Sequence, residues 1–251
     1  MKLLPPEPSN VHWYTATGES AHDADLRRAR KERLYPSVTS VLQIKAKPGL
    51  DAWKRQEAIL AALTLPRLDG ESEQDFASRV VVDMDATGSK AAAIGTAIHA
   101  YAEGLTGGEN IEPPKGYEAI CAALRCWIEE NLEGGVAEST MVSEEYGYAG
   151  RQDWTGIFSN GKYGILDFKT QNVKPGKKPV FYPEHCYQLA AYAEGKPMEM
   201  VNLIIGVNHD NPIIAEKRWT IEEAENGWAI FKHCLAIWQL ERGYDPRRAQ
   251  D

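Results

Sequence analysis

Gly147-Tyr-Ala-Gly-Arg-Gln-Asp-Trp-Thr-Gly-Ile-Phe-Ser-Asn-Gly-Lys-Tyr-Gly-Ile-Leu-Asp-Phe-Lys-Thr170 is the stretch of this chain that says most about its fold. Two apolar runs flank Asn160-Gly161, a dipeptide that favours the tight turn of a β-hairpin. In the second run Asp167 and Lys169 stand two residues apart. On a strand they therefore point to one face, while Leu166 and Phe168 point to the other. A carboxylate and an ammonium side by side in otherwise apolar sequence add little to stability. The place of Asp153 depends on the turn. With a loop of Asn160-Gly161 alone, Phe158 pairs with Tyr163, Asp153 falls opposite Phe168, and its side chain faces away from Asp167. With a loop of Ser159-Asn160-Gly161 and Gly161 in a left-handed bulge position, Phe158 pairs with Lys162 and Asp153 falls opposite Asp167. The second register puts both carboxylates and Lys169 on one face.

Outward from the hairpin, β-rich runs are expected at about 138–146, 147–158 and 162–170, a helix near 184–195 and strands near 199–208 and 213–219. A last amphipathic helix is expected over about 221–242, where Trp228, Phe231, Leu235 and Trp238 recur at helical steps, as core positions do. Upstream, Tyr35-Pro36-Ser37-Val38-Thr39 opens a helical stretch, with Ser37 or Thr39 as N-cap and Lys47-Pro48-Gly49 as its stop. Further helices are expected through 51–64, 73–83, 88–104 and 115–132. Residues 1–34 are polar, contain prolines and read as an irregular N-terminal arm. The expectation is an α/β fold in which residues 35–251 form one domain, with a helical part over about 35–132 and an α/β core over about 133–245.

The 251 residues are 43% hydrophobic and 25% charged, enough to bury a substantial core. No apolar run reaches the roughly 18 residues of a membrane span. Met1-Lys2-Leu3-Leu4-Pro5-Pro6 is too short and proline-stopped for a signal peptide, so a cytoplasmic location with no membrane partner is expected. Cys121, Cys126, Cys186 and Cys234 make neither a CxxC pair nor a disulfide framework, and reduced, mostly buried thiols are expected instead of a zinc site. The formal net charge of −8 speaks against a polyanionic partner only if the charge is spread evenly. Arg27, Arg28, Arg30, Lys31 and Arg33 cluster, as do Lys174, Lys177 and Lys178. Such clusters can serve as a phosphate track, since phosphate contacts act within a Debye length of ~8–10 Å, or be a solvated face.

Two carboxylates that face each other across strands repel unless positive charge lies between them, and a hard divalent cation such as Mg²⁺ or Mn²⁺ is the usual solution. Such an ion polarises a phosphodiester and stabilises the leaving oxygen, and a neighbouring lysine orients water or neutralises developing charge. The bland alternative is a surface Asp–Lys pair on a half-exposed strand.

Gly150-Arg-Gln-Asp153 followed by Ile165-Leu-Asp167-Phe-Lys169-Thr170 resembles motifs two and three of the PD-(D/E)XK nuclease superfamily, in its RecB-like exonuclease branch. Gly95-Thr-Ala-Ile-His99 resembles that branch's motif-one histidine on a helix, and Gln188-Leu-Ala-Ala-Tyr192 resembles its QxxxY motif. Tyr35-Pro-Ser-Val-Thr-Ser-Val-Leu42 and Trp53 are similar to the N-terminal part of single-domain members, phage and mitochondrial genome maintenance exonucleases among them. The resemblance covers about residues 35–195. It implies a restriction-endonuclease-like core, a mixed central sheet flanked by helices, with a helical N-terminal region. It also implies His99, Asp153, Asp167 and the backbone carbonyl of Phe168 as holders of Mg²⁺ or Mn²⁺. Lys169 becomes the water-orienting residue, and Gln188 and Tyr192 become groups that line the site.

Read from the residues alone, His99 follows Ile94 and Ile98 and can equally be a core histidine. Gln188 and Tyr192, four apart, share a helix face. Glu144 and Glu145 precede the hairpin where members often carry an acidic residue, and a solvated strand edge also explains them. Tyr146, Tyr148 and Trp154 can stack unpaired bases or be sheet core. No cysteine cluster of the iron–sulfur subset is present, so no Fe–S cluster is expected, and no P-loop motif is present. The function expected is a metal-dependent deoxyribonuclease, most simply an exonuclease on single-stranded or end-accessible DNA, with a recombination, repair or replication protein as a possible partner. A structure-specific endonuclease with the same site and a catalytically silent nucleic-acid-binding or assembly protein are the alternatives.

Overall fold

Two short elements lead the chain in. In the computed structural model, which describes residues 11–174, 176–207 and 212–248, strand β1 (Trp13–Tyr14) is followed by helix α1 (Leu26–Glu32) and strand β2 (Tyr35–Pro36). β1 and β2 pair antiparallel. Asp25 caps α1, its carboxylate accepting the Arg28 N–H at 2.7 Å. Of the irregular arm expected over residues 1–34, positions 1–10 lie outside the described residues, and the remainder carries β1 and α1 instead. Elements of two and seven residues are too short to show a period, and tertiary anchoring holds them. Trp13, 1% exposed, packs edge-on against Trp238 and Tyr244, with ring centroids 5.8 and 5.7 Å away. The Tyr244 hydroxyl lies 2.9 Å from the Ala29 carbonyl and 2.6 Å from that of Leu34, tying α1 to the far end of the chain.

Ser37 caps the short helix α2 (Val38–Leu42), as its place before an apolar run suggests. Three helices follow, α3 (Pro48–Thr64), α4 (Glu73–Thr106) and α5 (Glu118–Asn131). α4 runs unbroken where two helices, 73–83 and 88–104, are expected from the sequence. A single glycine, Gly88, costs a helix interior only about 1 kcal/mol relative to alanine, too little to end one with good formers on both sides.

The second half of the chain contains β3 (Leu132–Ser143), β4 (Tyr148–Phe158), β5 (Tyr163–Gln171), helix α6 (Pro183–Tyr192), β6 (Glu199–Gly206), β7 (Ile213–Arg218) and helix α7 (Ile221–Arg242). β3 to β7 form one five-stranded sheet in chain order, antiparallel except for the β5–β6 pair, which is parallel and connected through α6. This is a mixed α/β fold with a mixed sheet flanked by helices. α2, α6 and α7 pack together over a core that includes Ile165, Leu189, Met200, Phe231, Leu235 and Trp238. α7 begins with a reciprocal capping box between Thr220 and Glu223. No helix among the described residues is long and apolar enough to cross a membrane.

By its internal contacts the chain divides into two units, Met1–Ile44 with Ala100–Asp251, and Lys45–His99. The first holds the sheet and the helices that cover it. The second holds α3 and the larger part of α4. Within it the Arg67 guanidinium lies 4.4 Å from the Phe76 ring centroid, Arg79 pairs with Glu71 at 3.1 Å, and Leu60, Leu63, Val81 and Val82 are exposed.

Candidate functional site

The three-residue loop is the one that forms. The Phe158 N–H donates to the Lys162 carbonyl at 2.9 Å, the Gly161 N–H returns to the Phe158 carbonyl at 2.8 Å, and Gly161 adopts φ +77°. β4 and β5 pair from Ile157–Tyr163 to Trp154–Leu166. One step further this register sets Asp153 opposite Asp167. There the Asp153 carboxylate reaches across and its Oδ2 accepts the Phe168 backbone N–H at 2.7 Å.

Asp167 is the centre of a hydrogen-bond network. Its Oδ1 accepts Lys169 Nζ at 2.6 Å and Gln188 Nε2 at 3.1 Å, and its Oδ2 accepts Asn202 Nδ2 at 2.6 Å. Gln188 Nε2 also donates to the Tyr192 hydroxyl at 3.0 Å. Their i, i+4 spacing on α6 aims both at the same place. Asp153, Asp167, Lys169, Gln188 and Tyr192 are thus brought together. Of the other residues singled out from sequence, Phe168 offers its N–H to Asp153 and buries its side chain. His99, partly buried on α4, belongs to the other unit. Glu144 and Glu145 are exposed.

Burial raises the pKa of Asp153 and of Asp167, and the nearby Lys169 charge only partly offsets it. Burial would lower Lys169, but the carboxylates of Asp167 and Asp153 outweigh that and raise it. Two further carboxylates surround Asp153. Arg151, two residues before it on β4, pairs with Glu138 of β3 and lies 3.6 Å from Glu103 of α4. Glu138 is pushed up to about 7, chiefly by burial, with Arg151 opposing and Asp153 and Glu103 adding to the rise. Its backbone sits at φ +52°, a left-handed conformation that costs a non-glycine residue about 1 kcal/mol or more. The inventory around the hairpin is then four carboxylates, Asp153, Asp167, Glu138 and Glu103, against two cations, Lys169 and Arg151. Burial is the largest cause of the rise at Asp153, Asp167 and Glu138, and a neighbouring carboxylate adds to it at each.

His185 stands one turn before Gln188 on α6. Burial, reinforced by the Lys169 charge, pushes its imidazole down to about 4, and Nδ1 is buried with no hydrogen-bond partner among the described residues. Asn202 lies beside Asp167 on the neighbouring parallel strand. Asn202, Glu138 and Glu103 were not singled out from sequence. A signal existed for His185 in its i−3 spacing from Gln188, and for Asn202 as the one amide in Met200-Val-Asn-Leu-Ile-Ile205. Nothing local marks Glu138.

Base stacking by Tyr148 and Trp154 is overturned. Tyr148 is 0% and Trp154 1% exposed, and the Tyr148 hydroxyl donates to the Ala191 carbonyl at 2.7 Å, so both belong to the core. Tyr146 packs edge-on to Trp228 at 4.9 Å. In the early basic cluster, Arg28 pairs with Asp23 and Glu32, and Arg30 donates to the Arg242 carbonyl. Arg27, Lys31 and Arg33 are exposed, as are Lys174, Lys177 and Lys178.

Among the described residues no group of three or more His, Cys, Asp or Glu side chains is gathered around one point as metal ligands. Asp153 and Asp167 are the pair that could hold a hard cation, which commonly takes only one or two carboxylates and keeps several waters. The four cysteines are thiols, and Cys121, Cys186 and Cys234 are buried.

No family model matches the chain, and no curated protein matches it. Among solved structures it is similar to the one described as the crystal structure of SSO0001, at 19% identity over 51% of this chain and with a TM-score of 0.30. The match spans 59% of that chain, a little over half its length.

Proposed function

We propose that this protein is a metal-dependent deoxyribonuclease of the PD-(D/E)XK superfamily, RecB-like branch, built on a restriction-endonuclease-like core. The observation that carries the reading is the Asp153–Asp167–Lys169 constellation, two carboxylates brought to facing strand positions beside an ammonium, in a buried place that disfavours their charge. A divalent cation beside the two carboxylates would favour their ionised forms against that burial. Asp153 and Asp167 would hold Mg²⁺ or Mn²⁺, with the Phe168 carbonyl as the further ligand that the resemblance implies. The ion supplies Lewis-acid stabilisation of phosphodiester cleavage.

The chain's own groups do the rest. Lys169, held charged by its carboxylate neighbours, orients the attacking water and meets the negative charge that develops on the phosphate. Gln188 fixes Asp167 and is itself fixed by Tyr192. DNA with a single-stranded or accessible end is the substrate we assign, and exonucleolytic hydrolysis the mode. Any partner would be a recombination, repair or replication protein that supplies such ends.

The test is cleavage of end-labelled single- and double-stranded DNA in Mn²⁺, Mg²⁺ or EDTA, beside an Asp167→Ala variant. The expected result is metal-dependent cleavage that the variant lacks. Cleavage of internally placed structures only would make it an endonuclease. Binding of DNA without turnover at any metal concentration would overturn the enzymatic reading.

A further inference from the structure

We propose that Asn202 is a positioning residue for Asp167 in the candidate metal site, and that Trp219 decides which end of the Asn202 amide Asp167 meets. The inference rests on the metal-site reading above.

β6 is apolar on both sides of this residue, and Asn202 is 0% exposed. An amide in such a place is costly unless both of its ends are satisfied. Both are. Nδ2 donates to Asp167 Oδ2 at 2.6 Å, and Oδ1 accepts the Trp219 indole N–H at 2.6 Å. The parallel register that sets Asn202 beside Asp167 brings the amide into reach.

The sense of the amide follows from chemistry. An indole N–H can only donate, so it selects the oxygen of Asn202, and the amino group is left facing the carboxylate. A flipped amide would set N–H against N–H at one end and oxygen against a carboxylate oxygen at the other. Trp219 is itself held in place. Lys217 Nζ lies 3.7 Å from its ring centroid and 2.8 Å from Glu223 Oε1, and Glu223 belongs to the capping box of α7. A line of contacts therefore runs from the start of α7 through Lys217, Trp219 and Asn202 to Asp167. With Oδ2 occupied by a neutral donor and Oδ1 shared by Lys169 and Gln188, the carboxylate plane has no freedom to rotate. Partners of this kind behind a ligating carboxylate commonly change metal affinity by about 10–100-fold when removed.

The test is Mn²⁺ titration calorimetry on the wild-type chain, Asn202→Leu and Trp219→Phe, each also melted in EDTA. Asn202→Leu is expected to weaken the Mn²⁺ Kd by about tenfold or more. Trp219→Phe, which keeps an aromatic ring but loses the pyrrole half of the indole with the N–H that pins the amide, is expected to weaken it severalfold. Should Asn202→Leu fail to fold, Trp219→Phe carries the test. A merely structural role would lower Tm in EDTA and leave the Kd of both folded variants within twofold of wild type, and that result overturns the proposal while the metal site stands. A wild-type chain that takes up no Mn²⁺ would instead overturn the metal-site reading, and this inference with it.

Discussion

Gly150→Ala places a single methyl group where the backbone of β4 passes the candidate site, and its effect can be worked from distances. The added Cβ would lie 2.5 Å from Tyr192 Cε1, 3.2 Å from Cδ1 and 3.3 Å from Val38 Cγ2. Carbon atoms settle at ~3.5–4.0 Å, so the ring must retreat by roughly 1 Å. Tyr192 is 6% exposed in a close-packed interior and has nowhere free to go. Overpacking of this kind costs about 1–3 kcal/mol, and for a chain of this size each kcal/mol lowers Tm by roughly 2–4 °C, so a fall of about 2–12 °C is expected. The same retreat stretches the 3.0 Å bond from Gln188 to the Tyr192 hydroxyl, and Gln188 is one of the groups holding Asp167. Misplacement by about 1 Å near a reacting centre can cost about 100-fold in rate, so metal-dependent cleavage should fall by more than the stability loss alone explains. Differential scanning calorimetry in EDTA and the end-labelled DNA assay read the two effects separately. Gly49→Ala is the control, because its Cβ meets nothing within 4 Å and lies in the first turn of α3. It should leave Tm unchanged or raise it slightly. A Gly150→Ala protein with wild-type Tm and wild-type cleavage would refute the reasoning.

Other expectations test the electrostatics and the core. Glu138 has its pKa raised to about 7 from an ordinary 4.5, so its contribution is full below pH 4.5 and is lost as pH rises through 7. Glu138→Gln should therefore melt higher than wild type at pH 8 in EDTA, by the equivalent of about 1–2 kcal/mol after allowance for solvent screening, and no higher near pH 4.5. Equal melting at both pH values would show that burial does not penalise its charge. His185 has the opposite sign. Its pKa is depressed from 6.5 to about 4, so its contribution is present above pH 6.5 and lost as pH falls through 4, and His185→Phe should flatten the acid limb of the stability profile. An unchanged acid limb would mean that the imidazole is solvated. Tyr148→Phe removes the bond to the Ala191 carbonyl and should cost about 1 kcal/mol with no change in DNA affinity. A large loss of DNA affinity at unchanged stability would return Tyr148 to the substrate.

Local chemistry made much of the candidate site legible. The period of two places Asp167 and Lys169 on one face of β5, the helical spacing places Gln188 and Tyr192 on one face of α6, and Ser159-Asn160-Gly161 can close the hairpin in the register that sets Asp153 opposite Asp167. These relations span at most a turn or a strand pair joined by one, so they are written in neighbouring residues. β1 and α1 were not legible, because Trp13 and Tyr244 hold them from opposite ends of the chain and elements so short carry no period. The burial of Tyr148 was not legible either, since an aromatic on a strand suits a stacking platform and a core equally well.

By itself, then, the sequence determined the mixture of strands and helices, the hairpin with its choice of two registers, and which polar residues share one strand or helix face. Only the tertiary structure decided that the three-residue loop closes, that Arg151 lies between Glu138 and Glu103, and that Asn202 and Trp219 stand behind Asp167. The physical reason lies in how the strands are joined. A tight turn allows only a few alignments of the two strands it connects, whereas a parallel pair is reached through a helix, and its alignment is set by the packing of α6 and α7 over the sheet, a sum of contacts that no short stretch contains.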